Sequence, residues 1–364
     1  MANSVITNSS AKVALQSLNK INQQLDTTQK KVSTGYKVSD AKDDGAAYAV
    51  AQKVRADVSG LNSANDQLGG VNGLLTSTLK AVDAVSTTLT SEVSNVLTKL
   101  SDSNLDAETR KQYTEQFKSL TKQMNTTLQD ASYNGTRLLG STDTDPLTGQ
   151  PFEGKPMEVT RNEKGQTYTV NASGTTADQL SFTASIGGGA SAAVPAPAVA
   201  ADGPNVASFA TGSNVATSSE GAIPASGSLD SITSISAAEA KALLQGRAEV
   251  QTDPGPPPVT EMQDVDMVQI GGAGGAVLKT FVSLTAQVNS TQNELGNDSK
   301  FISSQMTYNS ARIDAMEEGL GSLVDADLAK ESARLTALQT QQQLATTALS
   351  TANSAPEVLL SLFR

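Results

Sequence analysis

The sequence predicts a mainly α-helical protein. Its N- and C-terminal arms are expected to form a long helical rod or coiled-coil bundle around a central α+β or irregular insert. Near both ends of the chain, apolar residues recur at spacings of three, four or seven, which is typical of helices that pack along a narrow seam. Eleven of the twelve prolines lie between Pro146 and Pro258, and the twelfth is Pro356. Because proline interrupts long helices, its distribution separates two helical arms from a different middle segment.

Charge divides the chain at similar positions. Residues 1–140 carry 15 basic and 13 acidic side chains, a net +2, and residues 277–364 carry 6 and 9, a net −3. Residues 141–276 carry 5 basic and 15 acidic side chains, a net −10, and so account for nearly all of the total charge of −11. An acidic middle segment repels copies of itself and favours contact with water.

The composition disfavours catalysis and cofactor binding. The 364 residues suffice for two or three domains, but with no Cys and no His they lack thiolate ligands and the commonest general base. The absence of Trp and the acidic balance argue against nucleic acid as a partner. Glu261, Asp264 and Asp266 lack the spacing of a calcium loop, and we interpret them as a solvated acidic face. We therefore expect no enzyme activity, no cofactor and no metal.

The N-terminal arm is predicted to contain three helices. The first is expected to run from a cap at Asn3 or Ser4 to about Thr34, where Gly35 stops it. After a short connector, a second periodic pattern begins near Asp43 or Asp44 and continues to Leu100, with glycines as soft interruptions only. The third helix is predicted to follow Asp106 and to end at the tight turn Asn134–Gly135.

The insert is predicted to contain a few short elements. Residues 157–161 and 167–170 form a β-hairpin pattern, residues 180–186 a further strand, and residues 237–248 a helix. Residues 187–227 are rich in Ala, Gly, Ser, Thr and Pro, and they are predicted to be coil.

The C-terminal arm is predicted to be two helices. The first covers residues 277–318, with a hinge at Gly319 and Gly321. The second covers residues 322–355 and is expected to end at Pro356. Its apolar seam is interrupted by the polar residues Glu331 and Gln342, and an apolar tail follows it.

Several stretches of the two arms resemble bacterial flagellin. They are STGYKVSDAKDDGAA at residues 33–47, ASYNGTRLLG at residues 131–140, ANSAP at residues 352–356 and LLSLFR at the C-terminus. The order, spacing and position of these stretches agree with the family over residues 1–140 and 277–364, but the resemblance does not extend to the middle of the chain.

The resemblance implies a structural subunit that polymerises into a flagellar filament for swimming motility. It implies a terminal coiled-coil core domain of residues 1–44 with 320–364, a helical rod domain of residues 45–140 with 277–319, and a surface-exposed insert domain of residues 141–276. The seam positions and apolar tail are then expected to form the assembly seam: Ala14, Leu18, Ile21, Leu25, Val32, Leu328, Leu335, Leu338, Leu349, Leu359, Leu360, Leu362 and Phe363.

The resemblance also implies partners and a location. The expected partners are many copies of the same chain, an export chaperone, the export apparatus, the filament cap and the hook-junction proteins. No run of about 18 apolar residues predicts a membrane span, and the N-terminal residues lack the pattern of a cleaved signal peptide. We expect an extracellular protein that is exported by a dedicated apparatus.

Two alternative functions remain open at this point. A junction protein between hook and filament shares the same architecture but is needed in few copies. A surface adhesin that binds carbohydrate through its insert is the other alternative.

Overall fold

A computed structural model describes residues 8–139, 141–144, 151–152, 157–170, 180, 182, 206–209, 216–219, 229–253, 259–271 and 275–361. The chain divides into two compact units. One combines residues 1–63 with 308–364, and the other contains residues 64–307. The predicted mainly helical fold with a strand-containing insert is confirmed. The expected division into three domains stays a prediction.

The first helix, α1 (Ser9–Thr34), begins later than predicted. Asn8 caps it, because the Asn8 Oδ1 accepts a hydrogen bond from the Ala11 N–H at 3.0 Å, and the predicted caps Asn3 and Ser4 lie outside the described residues. Gly35 ends the helix with φ of 76°, and its N–H donates to the Lys31 carbonyl. A residue with a side chain is strained in this left-handed conformation, so the predicted stop at Gly35 is confirmed.

The second periodic pattern is helical throughout, as α2 (Gly45–Thr88), a π-helical turn (Leu89–Val93) and α3 (Ser94–Leu100). Gly45 begins α2, and none of the four glycines inside it, at positions 60, 69, 70 and 73, breaks it. Gly73 has a packing role, because a Cβ at this position would lie 3.0 Å from the Tyr133 ring. Helix α4 (Ala107–Gln129) is capped by Asp106, whose Oδ2 accepts from the Thr109 N–H at 3.0 Å.

The turn after α4 has the predicted geometry, although α4 itself ends at Gln129. Asn134 and Gly135 both have positive φ, 49° and 75°, as expected for a type I′ turn. Tyr133 and Thr136 exchange two backbone hydrogen bonds of 3.0 and 2.9 Å across it.

The insert contains more β-structure than predicted. Strands β1 (Ser141–Thr144) and β2 (Pro151–Phe152) pair antiparallel, and β3 (Met157–Thr160) and β4 (Thr167–Val170) form the predicted hairpin. A six-stranded mixed sheet has the order β10-β9-β5-β6-β7-β8. Its strands are β5 (Val206–Phe209), β6 (Ala216–Ser219), β7 (Arg247–Asp253), β8 (Val259–Asp264), β9 (Met267–Ile270) and β10 (Ala276–Lys279).

Three predictions for the insert change as a result. The prediction of coil for residues 187–227 is wrong at β5 and β6, and the rest of that segment lies outside the described residues. The predicted strand at 180–186 also lies outside them except at Leu180 and Phe182. Helix α5 (Ala237–Gln245) stops three residues early, because Gly246 adopts a φ of 65° and the chain then enters β7.

The C-terminal arm contains α6 (Phe281–Val324) and α7 (Leu328–Ser361). The predicted helix start at Val277 is wrong, because this residue pairs with Gln269 between β10 and β9. The predicted hinge at Gly319 and Gly321 is also wrong, since α6 continues through both. Each glycine costs a helix about 1 kcal/mol relative to alanine. That cost is offset by the burial of Val324 against Val38 and Ala51, with Leu320 and Leu323 packed beside them.

Pro356 does not end the last helix, which continues to Ser361. Proline has no N–H to donate to the carbonyl four residues earlier, here Ala352. That carbonyl accepts a hydrogen bond from the Asn8 Nδ2 at 2.8 Å. Helix α7 therefore passes the proline with help from the N-terminal end of α1.

Candidate assembly surface on the terminal helices

Helices α1 and α7 pack against each other as an antiparallel pair. Polar contacts mark three levels along it. They join Asn8 to Ala352, Asn22 to Gln342, and Lys31 to Glu331, so that numbers rise along α1 as they fall along α7. The two ends of the chain thus form one structural element.

The predicted seam residues of α1 face α7. Ala14, Leu18, Ile21, Leu25 and Val32 are all half-buried, and Thr28 between them is buried. Thr28 follows Leu25 by three residues and so belongs to the same repeat, and its small side chain fits a closely packed position.

On α7, the predicted seam residues differ in exposure. Leu338 is 5% exposed, Leu335 and Leu349 are half-buried, but Leu328 is 50% exposed. Leu359 and Leu360 belong to α7, but their side chains, like Leu362 and Phe363, lie outside the described residues. The role of all these residues in assembly stays a prediction.

Polar groups interrupt the apolar seam at two levels. The Gln342 Nε2 donates to the Asn22 Oδ1 at 2.8 Å, and both side chains are half-buried. The Lys31 Nζ lies 3.9 Å from the Glu331 Oε1, while the Glu331 Oε2 is buried without a hydrogen-bond partner. The sequence identified Glu331 and Gln342 as polar seam positions, but not their partners.

Large apolar side chains also project away from the α1–α7 seam. Val13 and Leu344 are each 65% exposed, and Leu15 is 49% exposed. Together with the half-exposed seam residue Leu328, these side chains leave apolar surface open on both helices, and we call this set of four side chains the outer ridge. Sequence reasoning missed Val13, Leu15 and Leu344 because they lie outside the heptad; their apolar type at positions beside it was the available signal.

The connectors next to the two helices also pair. The Lys37 N–H donates to the Val324 carbonyl at 2.7 Å, and the Ala326 N–H donates to the Gly35 carbonyl at 2.9 Å. This two-residue bridge joins Tyr36 to Asp325. Backbone hydrogen bonds therefore hold the C-terminal end of α1 beside the N-terminal end of α7.

A carboxylate organises the connector between α1 and α2. The Asp43 Oδ2 accepts hydrogen bonds from the Ser39 N–H and Oγ, both at 3.0 Å, and from the Asp40 N–H at 3.3 Å. These bonds favour the charged form, led by the bond from the Ser39 N–H, and lower the pKa of Asp43 to about 2.

This connector is expected to lose order only in strong acid. Because the folded pKa of Asp43 lies below its ordinary value of 3.8, its stabilising contribution is complete above about pH 4 and is lost as the pH falls towards about 2. The shift of the Ser39 amide signal in an NMR titration measures this, and Asp43→Asn should remove the transition. A Ser39 midpoint near 3.8 would contradict the assignment.

Two further observations limit the chemistry of the described residues. They contain no group of three or more Asp or Glu side chains placed to hold a metal ion. Among the helices that the structure describes, none is long and apolar enough to cross a membrane.

Comparison with known proteins matches both arms. The family described as bacterial flagellin N-terminal helical region matches residues 5–144, and the bacterial flagellin C-terminal helical region matches residues 278–363. Flagellin FljO of Caulobacter vibrioides is 28% identical over 362 residues, which cover 100% of this chain and 99% of that protein. Flagellin C of Rhizobium meliloti is 28% identical over 363 residues, 99% of each chain.

One solved structure aligns with most of this chain at low similarity. The crystal structure of flagellar hook associated protein-3 from Legionella pneumophila covers 87% of this chain and 99% of its own, with 12% identity and a TM-score of 0.24. A score this low does not bear on the fold.

The paired terminal helices, the helical core and the strand-containing insert define a mainly helical structural protein. The matches at both ends then identify the family: the chain belongs to the bacterial flagellins. It is accordingly an extracellular structural subunit of the flagellar filament, a helical polymer that serves motility.

Proposed function

We propose that this chain polymerises through the paired helices α1 and α7. Residues 1–44 with 320–364 form the assembling core domain, residues 45–140 with 277–319 a helical rod domain, and residues 141–276 a solvent-exposed insert. The chain acts by binding copies of itself and carries out no catalysis.

The outer ridge is the observation that carries this proposal. Val13, Leu15, Leu328 and Leu344 are apolar and about half or more exposed, although they lie on helices that already pair within the chain. Fully burying such a side chain contributes about 1.5–3 kcal/mol. Neighbouring copies are the natural cover, and the apolar C-terminal tail is expected to join the same contacts through Leu359, Leu360, Leu362 and Phe363.

Charge supports the same division of roles. The arms carry a net +2 and −3 and can approach copies of themselves, whereas the insert carries −10 and favours water. A contact between two different surfaces that repeats without closing a ring builds an open helical polymer.

The same outer ridge requires protection before assembly. Exposed apolar surface on the terminal helices promotes premature association inside the cell. We infer that an export chaperone covers this surface. The export apparatus then carries the chain out without a cleaved signal peptide, and cap and hook-junction proteins meet the growing filament.

Electron microscopy after salt-induced assembly tests the proposal. We expect long filaments from the wild-type chain. Replacing Leu344 by Gln keeps a good helix former but removes apolar surface from the outer ridge, and a loss of about 1.4 kcal/mol raises the concentration needed for assembly about tenfold. The thermal stability of the monomer should not change.

Thr340→Gln is the matched control, since Thr340 is an exposed polar residue one turn away on α7. It should assemble at the wild-type concentration. Filaments from Leu344→Gln at the same concentration as wild type would contradict a role for the outer ridge in assembly.

A further inference from the structure

Pairing of α1 with α7 is ambiguous if only apolar residues are considered. Seam residues recur every seven positions on α7, as Leu328, Leu335, Gln342 and Leu349. A shift of one heptad would therefore place most apolar side chains against apolar side chains again. The backbone bridge between Tyr36 and Asp325 sets the level where α1 ends and α7 begins. Polar side chains are needed to hold the same alignment along the rest of the pair.

Asn22 and Gln342 discriminate between these alignments. In the observed register, the two side-chain amides meet at 2.8 Å in a half-buried layer. After a shift of seven residues in either direction, Asn22 would lie at the level of Leu335 or Leu349 and lose its partner, while Gln342 would lie at the level of Leu15 or Gln29. A half-buried amide without a partner is destabilising, so both slipped alignments leave Asn22 unsatisfied.

Asn8 provides a second discriminating contact, at the N-terminal end of α1. Its Oδ1 accepts from the Ala11 N–H and caps α1, while its Nδ2 donates to the Ala352 carbonyl. This carbonyl is the one that Pro356 leaves without a donor inside α7. Only the observed register brings the N-cap of one helix to the unpaired carbonyl of the other.

We propose that Asn8 and Gln342, with their partners Ala352 and Asn22, hold the axial register along α1 and α7, in addition to the bridge between Tyr36 and Asp325. The register determines how the outer-ridge side chains of α1 and α7 are aligned along the helix axis, so this inference rests on the proposed assembly function and deepens it. The two amide contacts are positioning devices. They exclude slipped subunits that still bury an apolar seam but present a mismatched outer surface to the next copy.

Spin-label distances measure the register directly. The chain has no Cys, so Gln16→Cys with Thr347→Cys introduces two exposed labelling sites at one level of the helix pair. The two labels are placed in the wild-type chain and in each variant. Each labelled protein is then assembled into filaments with an excess of the same protein without labels. A slip of seven residues displaces the labels by about 10 Å along the helix axis.

Two variants of the amide layer give opposite expectations. Asn22→Leu with Gln342→Leu keeps the seam apolar and the helices paired, but should add a slipped population to the distance distribution. Asn22→Gln with Gln342→Asn keeps a mutual amide contact and should retain the single wild-type distance. A single wild-type distance in the double-Leu variant would overturn the proposal.

The contact at Asn8 is tested by a double-mutant cycle. Asn8→Asp retains the acceptor that caps α1 but removes the Nδ2 donor. It should raise the concentration needed for assembly severalfold in the wild-type background. Pro356→Ala returns an N–H to the Ala352 carbonyl, so Asn8→Asp should have little further effect in that background.

The outcomes distinguish the inference about the register from the proposed assembly function. Equal effects of Asn8→Asp in both backgrounds would overturn the role of the unpaired carbonyl. Failure of wild-type protein to form filaments would instead contradict the proposed function, because the register variants are judged only against assembled wild type.

Discussion

A chain reduced to residues 45–319 is expected to remain folded and to form no filaments where the full chain does. The largest apolar core lies within the unit of residues 64–307 and includes fully buried Leu75, Phe117 and Ile302. Trimming the ends leaves this core intact. It removes both helices that carry the seam and the outer ridge, so the expected loss of polymer is complete rather than graded.

Circular dichroism and electron microscopy of the trimmed chain measure the two halves of this prediction. Removal of residues 1–44 alone, or of 320–364 alone, should have the same effect, because each removes one helix of the pair and leaves the other unpartnered. Filaments built by the trimmed chain would show that assembly depends on other surfaces.

The helices of the arms could be predicted because their apolar spacing is a local property. The seam of α1, the stop at Gly35 and the Asn134–Gly135 turn depend on neighbours within a few residues. The continuation of α7 past Pro356 could not be predicted in this way. It depends on Asn8, which is distant in sequence and donates to Ala352.

The sheet in the insert shows the same limit more strongly. Strands β5 and β6 come from a stretch of low complexity that has no strand pattern of its own. The two strands pair antiparallel with each other, and their outer neighbours are β9, which pairs parallel with β5, and β7, which pairs parallel with β6. Both partners lie tens of residues further along the chain, so these strands are determined by pairing rather than by local propensity.

The candidate assembly surface was predicted only in part. Heptad positions identified the half-buried side chains between α1 and α7, but they do not distinguish a side chain covered by the partner helix from one that remains open. Leu338 and Leu328 illustrate this, because both are seam leucines of α7 and only Leu338 is buried.

One face of α4 holds the base of the insert by a series of polar contacts. Arg110, Thr114, Lys118 and Lys122 are spaced by four residues and so lie on one side of the helix. The Arg110 Nη1 donates to the Ile235 carbonyl at 3.3 Å, and the Thr114 Oγ1 accepts from the Ile235 N–H at 3.2 Å. The Lys118 Nζ donates to the Ile232 carbonyl at 3.1 Å, and the Lys122 Nζ donates to the Asp230 Oδ1 at 2.7 Å.

Apolar packing continues this attachment into the core. The rings of Phe117 and Phe182 meet edge to face, with centroids 5.1 Å apart, and both side chains are fully buried. Helix α5 packs on α3 in the same cluster, through residues such as Leu243. Sequence composition alone favours removal of about residues 145–270 as a separable insert, but these contacts predict that such a deletion exposes the apolar face of α3 and α4.

Phe182→Ala is therefore expected to destabilise the helical unit and not only the insert. Truncating a fully buried Phe costs about 3–5 kcal/mol, because the lost transfer energy adds to that of the cavity left behind. Denaturant unfolding followed by helical circular dichroism should show this loss in the main transition.

Met262→Ala is the matched control within the insert. This side chain is 50% exposed, so its truncation should change stability by no more than about 0.5 kcal/mol. If Phe182→Ala left the helical transition at its wild-type midpoint, the insert would fold independently of α4, and the deletion favoured by composition would be the correct boundary.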